Sequence, residues 1–238
     1  MTYTISIPSR RAPITTVYCF VRAMHQDRKD EQLVMSYLEL RKSLGIIGIA
    51  LPFVLAGGKI FLDDPGILDS ISAYYYSVMG NVFVGSLCAI AVFLFSYRGY
   101  SHTDTVVAKI AALSALGTAF FPTAPSQYPT APQILIGYFH FFCAITLFML
   151  LAYFALILFR KTSATKPPTP QKLQRNIVYS VCGYIMLLCV AGIIAIEFLP
   201  RDNTIWNYAP IFWLESTAII SFGISWLVKG EAILKDIH

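Results

Sequence analysis

Charged residues are scarce in this chain, and they are missing altogether between Ile110 and Phe159, a stretch of fifty residues without Asp, Glu, Lys or Arg. Over the whole chain 13% of residues are charged and 56% are hydrophobic. A soluble domain carries about 25% charged residues. The scarcity excludes an ordinary soluble domain and predicts a polytopic membrane protein.

Patterns for metals, cofactors and nucleotides are also missing. The five cysteines include no pair at metal-ligand spacing, so we interpret them as small packing residues and predict neither a disulfide framework nor a zinc site. No Walker, GxGxxG or GxSxG pattern occurs. His140 is the only histidine inside a predicted span, which disfavours haem b with two histidine ligands. We therefore predict no cofactor.

What the sequence does contain is a series of apolar segments, which predict an all-α fold, a bundle of six transmembrane helices. A span needs roughly 20 apolar residues. The six spans form a membrane domain over 43–229, after an N-terminal segment 1–42 and before a short tail 230–238. Glycines within the spans, such as Gly45, Gly85 and Gly223, predict close helix contacts. The predicted spans are 43–61, 77–97, 105–121, 134–159, 177–199 and 208–228.

The N-terminal segment is poorly patterned. It has no uninterrupted apolar core ending in a small-residue cleavage site, so we expect no cleaved signal peptide. Leu33, Val34, Tyr37 and Leu38 fall on one helical face, which favours a short interfacial helix. Two hypotheses stay open for residues 1–34: they are disordered, or they lie upstream of the true translation start.

The distribution of basic residues predicts the orientation. With the N-terminus inside, 16 of the 18 Lys and Arg residues fall in inner segments, and only Lys59 and Arg201 fall outside. The positive-inside rule therefore predicts that both termini are cytoplasmic. The basic residues lie beside spans and are not interleaved with aromatics, so the net charge of +5 does not indicate nucleic-acid binding.

Three polar residues inside or beside the spans need an explanation, because a charged side chain deep in a bilayer costs roughly 2.5–3.5 kcal/mol. At 1.5 Å per residue, His140 lies about 9 Å and Glu215 about 7–8 Å below the predicted outer surface. Glu197 precedes Pro200 and lies near the same surface. The alternative interpretations are a solvated interface residue for Glu197 and structural hydrogen bonds for His140 and Glu215.

The first loop, FLDDPGILDSISAYYYS, enters the same layer. Ser77 and Asn81 would share a helical face at the top of span two. Asp69 before Ser70 also resembles a helix N-cap, which is its alternative interpretation. We predict a polar, outward-facing pocket in which these loop residues join His140, Glu197 and Glu215. The predicted loop and span-two contributors are Asp69, Ser72, Tyr75, Ser77 and Asn81.

The segments SISAYYYS–GNVFVG, GYFHFFCA and FWLESTAIISFGISWLVKG carry a resemblance. The chain resembles uncharacterised bacterial six-span proteins of the domain-of-unknown-function 998 type, and more distantly the Frag1/DRAM/Sfk1 membrane proteins. The resemblance covers about residues 40–230 and implies a six-helix bundle in the bacterial inner (plasma) membrane. It implies no reaction. A comparison with CREST-type zinc hydrolases fails, because this chain has one intramembrane histidine and no late HxxxH pair.

Three functions stay open at this stage. The leading hypothesis is a non-enzymatic protein that binds a lipid or small amphiphile, with membrane lipids as partners and a homo-oligomer left open. The first rival is an intramembrane lipid-directed hydrolase with His140 as base and Glu215 as its partner. The second is a proton- or ion-coupled transporter, disfavoured by the lack of inverted repeats. A metal held by His140, Glu215 and Asp69 is disfavoured because HxxxH and HExxH spacings are absent.

Overall fold

The computed structural model describes residues 14–99, 101–125, 127–162, 168–200 and 202–234, with side chains from Tyr37 onward. The chain divides into two compact units, Met1–Glu39 and Leu40–His238. The candidate site lies within the second unit. Residues 14–42 are helical, but the side chains of residues 1–36 lie outside the described part. The interfacial face and the two hypotheses for residues 1–34 therefore stay predictions.

Helices account for all the regular structure in the described residues, which confirms the all-α fold. A short 3-10 segment, Ser72–Tyr76, separates the first two long helices, and another, Thr204–Tyr208, precedes the last. The fourth helix continues into a π-helical turn, Phe154–Leu158. The long helices are α1 (Ile14–Leu62), α2 (Gly80–Ser96), α3 (His102–Phe120), α4 (Ala131–Tyr153), α5 (Pro170–Glu197) and α6 (Pro210–Lys229).

Several of these helices have the length and apolarity of membrane spans. Among the described residues, five segments qualify, and α2 is a shorter apolar helix of 17 residues. At 1.5 Å per residue, α2 is about 25 Å long, close to the lower limit for crossing a hydrocarbon core. The chain is thus a multi-pass helical membrane protein. The five segments are Tyr37–Leu62, His102–Phe120, Ala131–Leu158, Pro170–Glu197 and Pro210–Lys229.

Two helices begin at residues that differ from the approximate starts predicted for the spans, for different reasons. Span two was predicted from residue 77, but α2 begins at Gly80 because Ser72–Tyr76 turns as a 3-10 segment first. Span five was predicted from residue 177, but α5 begins seven residues earlier, at Pro170. Its start is fixed by Thr169, whose Oγ1 accepts a hydrogen bond from the N–H of Lys172 at 3.1 Å. A threonine cap followed by proline is a typical helix start.

Helices α1 and α6 pack with their backbones in close approach. A Cβ at Gly45 would lie 2.8 Å from the carbonyl oxygen of Gly223, and a Cβ at Gly223 would lie 2.7 Å from that of Gly45. Only glycines permit such an approach, as is common between membrane helices. In contrast, a Cβ at Gly85 would meet nothing within 4 Å, so the predicted close contact there was wrong.

An aromatic cluster fills the core at the C-terminal end of α6. Trp226 is 1% exposed, and four rings surround it. Their edge-on and tilted arrangements are those that aromatic quadrupoles favour. The rings and their centroid distances from Trp226 are Phe159 at 5.1 Å, Tyr97 at 5.6 Å, Phe154 at 5.7 Å and Phe222 at 5.9 Å.

Candidate functional site

The candidate site is built around the segment that follows α1, which is folded into the core. Ile71 and Ser72 are each 5% exposed, and Tyr74 is fully buried. Burial raises the pKa of the Tyr74 phenol, whose oxygen accepts a hydrogen bond from the N–H of Leu68 at 3.4 Å. The segment is thus a fixed part of the fold, although it has no long helix of its own.

The start of α6 holds this segment through the backbone. The N–H of Phe212, in the first turn of α6, donates to the carbonyl oxygen of Asp69 at 2.9 Å. First-turn N–H groups have no partner within their own helix. Ala209 occupies the N-cap position in a left-handed conformation and offers no side-chain cap. The carbonyl of Asp69 therefore replaces the missing cap and fixes the segment against α6.

Glu215 forms the second link between α6 and this segment. Its Oε2 accepts a hydrogen bond from the N–H of Ile71 at 2.6 Å. The backbone N–H and the hydroxyl of Ser72 also interact with the carboxyl group. Glu215 is partly buried and lies in the second turn of α6, five residues after Pro210. Its hydrogen bonds offset the free energy that partial removal of an acid from water would cost.

His140 is the third element of the site and is 2% exposed. Its Nδ1 lies 2.6 Å from the carbonyl oxygen of Phe121, and its Nε2 lies 3.0 Å from Oγ of Ser72. A carbonyl only accepts, so Nδ1 must carry the proton in this contact. In the neutral imidazole Nε2 is then the acceptor, and the hydroxyl of Ser72 donates to it.

The carbonyl that orients His140 is positioned by a proline. Phe121 is the C-terminal cap of α3, with an extended backbone at φ −106° and ψ 100°. Pro122 follows it, and a residue before proline is pushed out of the helical region into an extended conformation. The chain therefore leaves α3 at Phe121, with its carbonyl placed against the imidazole in α4.

Two adjoining cavities open beside these groups. The first, which we call the polar cavity, has a volume of about 100 Å³ and is lined by Ser70, Ser72, His140, Glu197 and Glu215 together with apolar residues of α4, α5 and α6. The second, the apolar cavity, has a volume of about 40 Å³ and is lined mainly by leucine, isoleucine and phenylalanine. Both cavities share the same four lining residues, Ser72, Ala144, Phe148 and Glu215.

The structure brings four of the eight predicted site residues together. Ser72, His140, Glu197 and Glu215 all line the polar cavity. Glu197 lies at the exposed end of α5, whereas the other three lie deeper. His140 and Glu215 are joined through Ser72, which contacts both of them.

The other four predicted residues line neither cavity. Asp69 and Asn81 are exposed, and Asp69 contributes its backbone carbonyl to the start of α6. Tyr75 packs edge-on against the ring of Tyr76, with centroids 5.1 Å apart. The helical register proposed for Ser77 and Asn81 was wrong, because Ser77 precedes α2 in a turn where its hydroxyl bonds to the carbonyl of Tyr74 at 2.8 Å.

The proposed N-cap at Asp69 was also wrong, because the 3-10 segment Ser72–Tyr76 has its N-cap at Ile71 and no side-chain cap. The Oγ of Ser70 accepts the hydrogen bond from the N–H of Ala73 at 2.9 Å.

Among the described residues, no group of three His, Cys, Asp or Glu side chains lies close enough together to hold a metal ion. The metal alternative therefore has no ligand set within the described part of the chain.

Most of the apolar cavity residues were missed from the sequence, and three of the missed residues are instructive. Ala144 and Phe148 line both cavities, and Thr123 lines the polar one. The signal for the first two was present, since they follow His140 by four and eight positions and so share its helical face. Thr123 gave no such signal, because its place depends on how the turn after α3 folds back.

Comparison with known protein families finds no match for this chain. No curated protein and no solved structure matches it either.

Proposed function

We propose that this protein binds a small amphiphile or lipid, with the head group in the polar cavity and the first carbons of the hydrocarbon part in the apolar cavity, which at about 40 Å³ is too small for a whole chain. The observation that carries the proposal is the direct adjacency of the two cavities, which share Ser72, Ala144, Phe148 and Glu215. A ligand site is usually a largely apolar cavity with a few converging polar groups. Here hydrogen-bonding groups occupy one side and aliphatic side chains the other, which suits an amphiphilic molecule.

The lining of the polar cavity favours a head group that donates hydrogen bonds. Two acids, Glu197 and Glu215, line it, and no Lys or Arg does so among the described residues. Carboxylates accept hydrogen bonds and attract cations. Phe141 and Phe148 add aromatic rings, which also attract cations. An amine or a hydroxyl-rich head group therefore fits this cavity better than a phosphate or carboxylate.

We further propose that α2 also crosses the membrane, which brings the number of spans to six, that both termini are cytoplasmic, and that the polar cavity faces the outer leaflet of a bacterial plasma membrane. The support is the distribution of basic residues, 16 of 18 on the proposed inner side. A helix of 17 residues is at the lower limit for a span.

Three probes with the same hydrocarbon chain test the proposed ligand chemistry. Protein in nanodiscs is mixed with dodecylamine, 1-O-dodecylglycerol or dodecyl phosphate, and native mass spectrometry measures the retained fraction. We expect the amine or the diol to bind about tenfold more tightly than the phosphate, a difference of about 1.4 kcal/mol. Tighter binding of dodecyl phosphate would contradict the proposal.

A matched pair of variants locates the binding. Glu215→Gln keeps an acceptor for the N–H of Ile71 but removes the acid, and we expect about a tenfold loss of dodecylamine affinity. The control is Asp202→Asn, at an exposed position outside both cavities, and it should bind as the wild type does. Equal affinity of the two variants would exclude the polar cavity as the binding site.

A lipid-directed hydrolase is the second candidate, favoured by one observation. The 3.0 Å contact between Nε2 of His140 and Oγ of Ser72, with Nδ1 fixed by a carbonyl, is the geometry of a nucleophile and its general base. Against it, the carboxyl group of Glu215 interacts with the same serine. Acyl transfer needs hydrogen-bond donors where the oxyanion forms. A carboxylate beside the serine would instead repel the negative charge of the oxyanion. Binding therefore remains the first proposal.

A fluorophosphonate probe decides whether Ser72 is a nucleophile. In the labelling step Oγ attacks phosphorus, its proton passes to Nε2 of His140, and fluoride leaves. The hydrolase candidate requires labelling that is lost in Ser72→Ala, falls at least tenfold in His140→Gln and persists in Ser70→Ala, a serine of the same cavity. If the wild-type protein is not labelled, the hydrolase candidate is rejected and the binding proposal is unaffected.

A further inference from the structure

The apolar cavity is closed off by the fold on most sides. Nearly all of its lining residues are buried, among them Leu51 of α1 and Ile219 of α6. The partly exposed ones are Ala144, Phe148 and Glu215, and all three also line the polar cavity. A hydrocarbon chain that begins in the apolar cavity and is too long for about 40 Å³ must therefore leave along the wall that the two cavities share.

The polar cavity continues this route to the edge of the bundle. It lies between α4, which contributes Phe141 and Ile145, and α5, which contributes Ile193 and Glu197. Phe141 and Ile145 are partly exposed, and Glu197 is exposed. The facing sides of α4 and α5 are thus separated by empty space that borders on the surface of the bundle. We call this space the α4–α5 gap.

Glycines pack the helices tightly around the gap. A Cβ at any of three glycines would crowd a side chain of the neighbouring helix, so the two helices of each pair touch there. The pairs are Gly117 of α3 with Cys143 of α4, at 2.5 Å, Gly192 of α5 with Leu214 of α6, at 3.2 Å, and Gly183 of α5 with Leu156 in the π-helical turn after α4. Helices α4 and α5 therefore meet at the end of the bundle remote from His140 and are separated around the polar cavity.

The gap spans two layers of the membrane in the proposed orientation. Glu197 ends α5 near the outer surface, and Val190, which also lines the polar cavity, lies about 10 Å deeper by helical rise. On α4, Ile145 lies about 7.5 Å deeper than His140. The gap therefore extends from the head-group layer into the hydrocarbon core. Its deeper walls carry aliphatic and aromatic side chains, which favour a hydrocarbon chain over water.

We propose that the α4–α5 gap is a lateral opening through which a single-chain lipid of the outer leaflet reaches the polar cavity. The head group passes inward at the level of Glu197. The chain beyond its first carbons runs between α4 and α5 and stays in the bilayer, so its methylene groups never enter water. The source of the ligand is then the membrane and not the aqueous phase. Since it serves the ligand of the proposed function, the opening depends on that proposal.

Photo-crosslinking in nanodiscs locates the chain. The probe is dodecylamine that carries a diazirine near the far end of its chain, and peptide mass spectrometry identifies the labelled residues. Label that excess dodecylamine suppresses marks the specific site. We expect suppressible label on α4 and α5. Suppressible label on α1, α2, α3 or α6 overturns the lateral opening but leaves ligand binding in place, whereas the absence of suppressible label on every helix overturns the proposed function together with the opening.

Exchange kinetics separate an opening from a wall of the binding site. Native mass spectrometry follows the replacement of bound dodecylamine by its deuterated form. Ile145→Trp and Ile193→Phe fill the gap from opposite sides, and each should slow exchange about tenfold. A substitution that only weakened binding would speed exchange, since affinity losses mostly raise the dissociation rate.

The control for these variants is Leu188→Trp, at an exposed position of α5 that lines neither cavity, and it should exchange as the wild type does. Tm in the same nanodiscs checks that each variant is folded, and the crosslinking of the wild-type protein does not depend on any variant. Unchanged or faster exchange in the folded gap variants overturns the lateral opening.

Discussion

At the scale of residues, the imidazole of His140 connects three parts of the chain that are distant in sequence. It belongs to α4, bonds to the carbonyl at the end of α3, and bonds to the hydroxyl of Ser72. The contribution of such a buried side chain to protein stability is measured mostly by the free energy lost when it is removed. When it is lost, the carbonyl of Phe121 and the hydroxyl of Ser72 are left without their partners.

We predict that His140→Ala lowers the free energy of unfolding by about 2–5 kcal/mol, from lost hydrogen bonds and the cavity left behind. The measurement is unfolding by SDS titration in mixed micelles, followed by circular dichroism. His102→Ala is the control, because His102 is exposed at the start of α3 and its loss should change stability by less than about 0.5 kcal/mol. Equal effects of the two substitutions would contradict the structural role assigned to His140.

At the scale of elements, the contact of α1 with α6 depends on glycines whose missing side chains let two backbones meet. The distance from a Cβ at Gly223 to the carbonyl oxygen of Gly45 would be 2.7 Å, which is too short for any real carbon. The atom that a Cβ at Gly223 would meet belongs to the backbone, which cannot shift as the end of a flexible side chain can. Helices α1 and α6 would have to move apart, and the packing between them would be weakened.

Gly223→Ala is therefore expected to destabilise the protein by about 1–3 kcal/mol, the range for an overpacked core. Gly85→Ala is the matched control in α2, where a Cβ meets nothing within 4 Å. There alanine should stabilise the helix by up to about 1 kcal/mol. Thermal unfolding of both variants in the same detergent provides the comparison. Similar Tm values for the two variants would show that α1 and α6 do not meet in this way.

The site shows what the sequence could and could not predict. Helical rise is constant, so residue counting alone placed His140 and Glu215 in one layer before any contact was known. The direction of a side chain in a loop has no such regularity. Asp69, Tyr75 and Asn81 were expected in the pocket from their depth, yet they line neither cavity. The backbone bonds of Asp69 and Ile71 to α6 fix the loop. Asn81 lies on an exposed face of α2.

At the scale of the whole molecule, the proposed orientation places the turn after α3 outside and the segment after α4 inside. Tyr128 in the first of these is 98% exposed, and Thr162 in the second is exposed. Of the five native cysteines, those at 143, 182 and 189 are buried and Cys88 is partly buried, so these four should react slowly with a membrane-impermeant maleimide. The side chain of Cys19 lies outside the described part, and the unmodified sequence measures its contribution.

Tyr128→Cys should therefore be labelled in intact cells, and Thr162→Cys only after the cells are opened. The reagent is a membrane-impermeant maleimide, and the unmodified sequence provides the background. The prediction follows from the excess of basic residues on one side of the spans. The reverse pattern would place the polar cavity on the cytoplasmic side and would overturn the proposed orientation.

The bond between Ile71 and Glu215 joins positions 144 residues apart in the chain. During synthesis, the loop that contains Ile71 cannot form its bonds to α6 until α6 has been made. Contacts of such long range form late in folding. An incomplete nascent chain that ends before Pro210 contains His140 and Ser72 but lacks the anchor that holds the loop. The two cavities therefore form only after α6 has been synthesised, and the proposed ligand binding would require α6 as well.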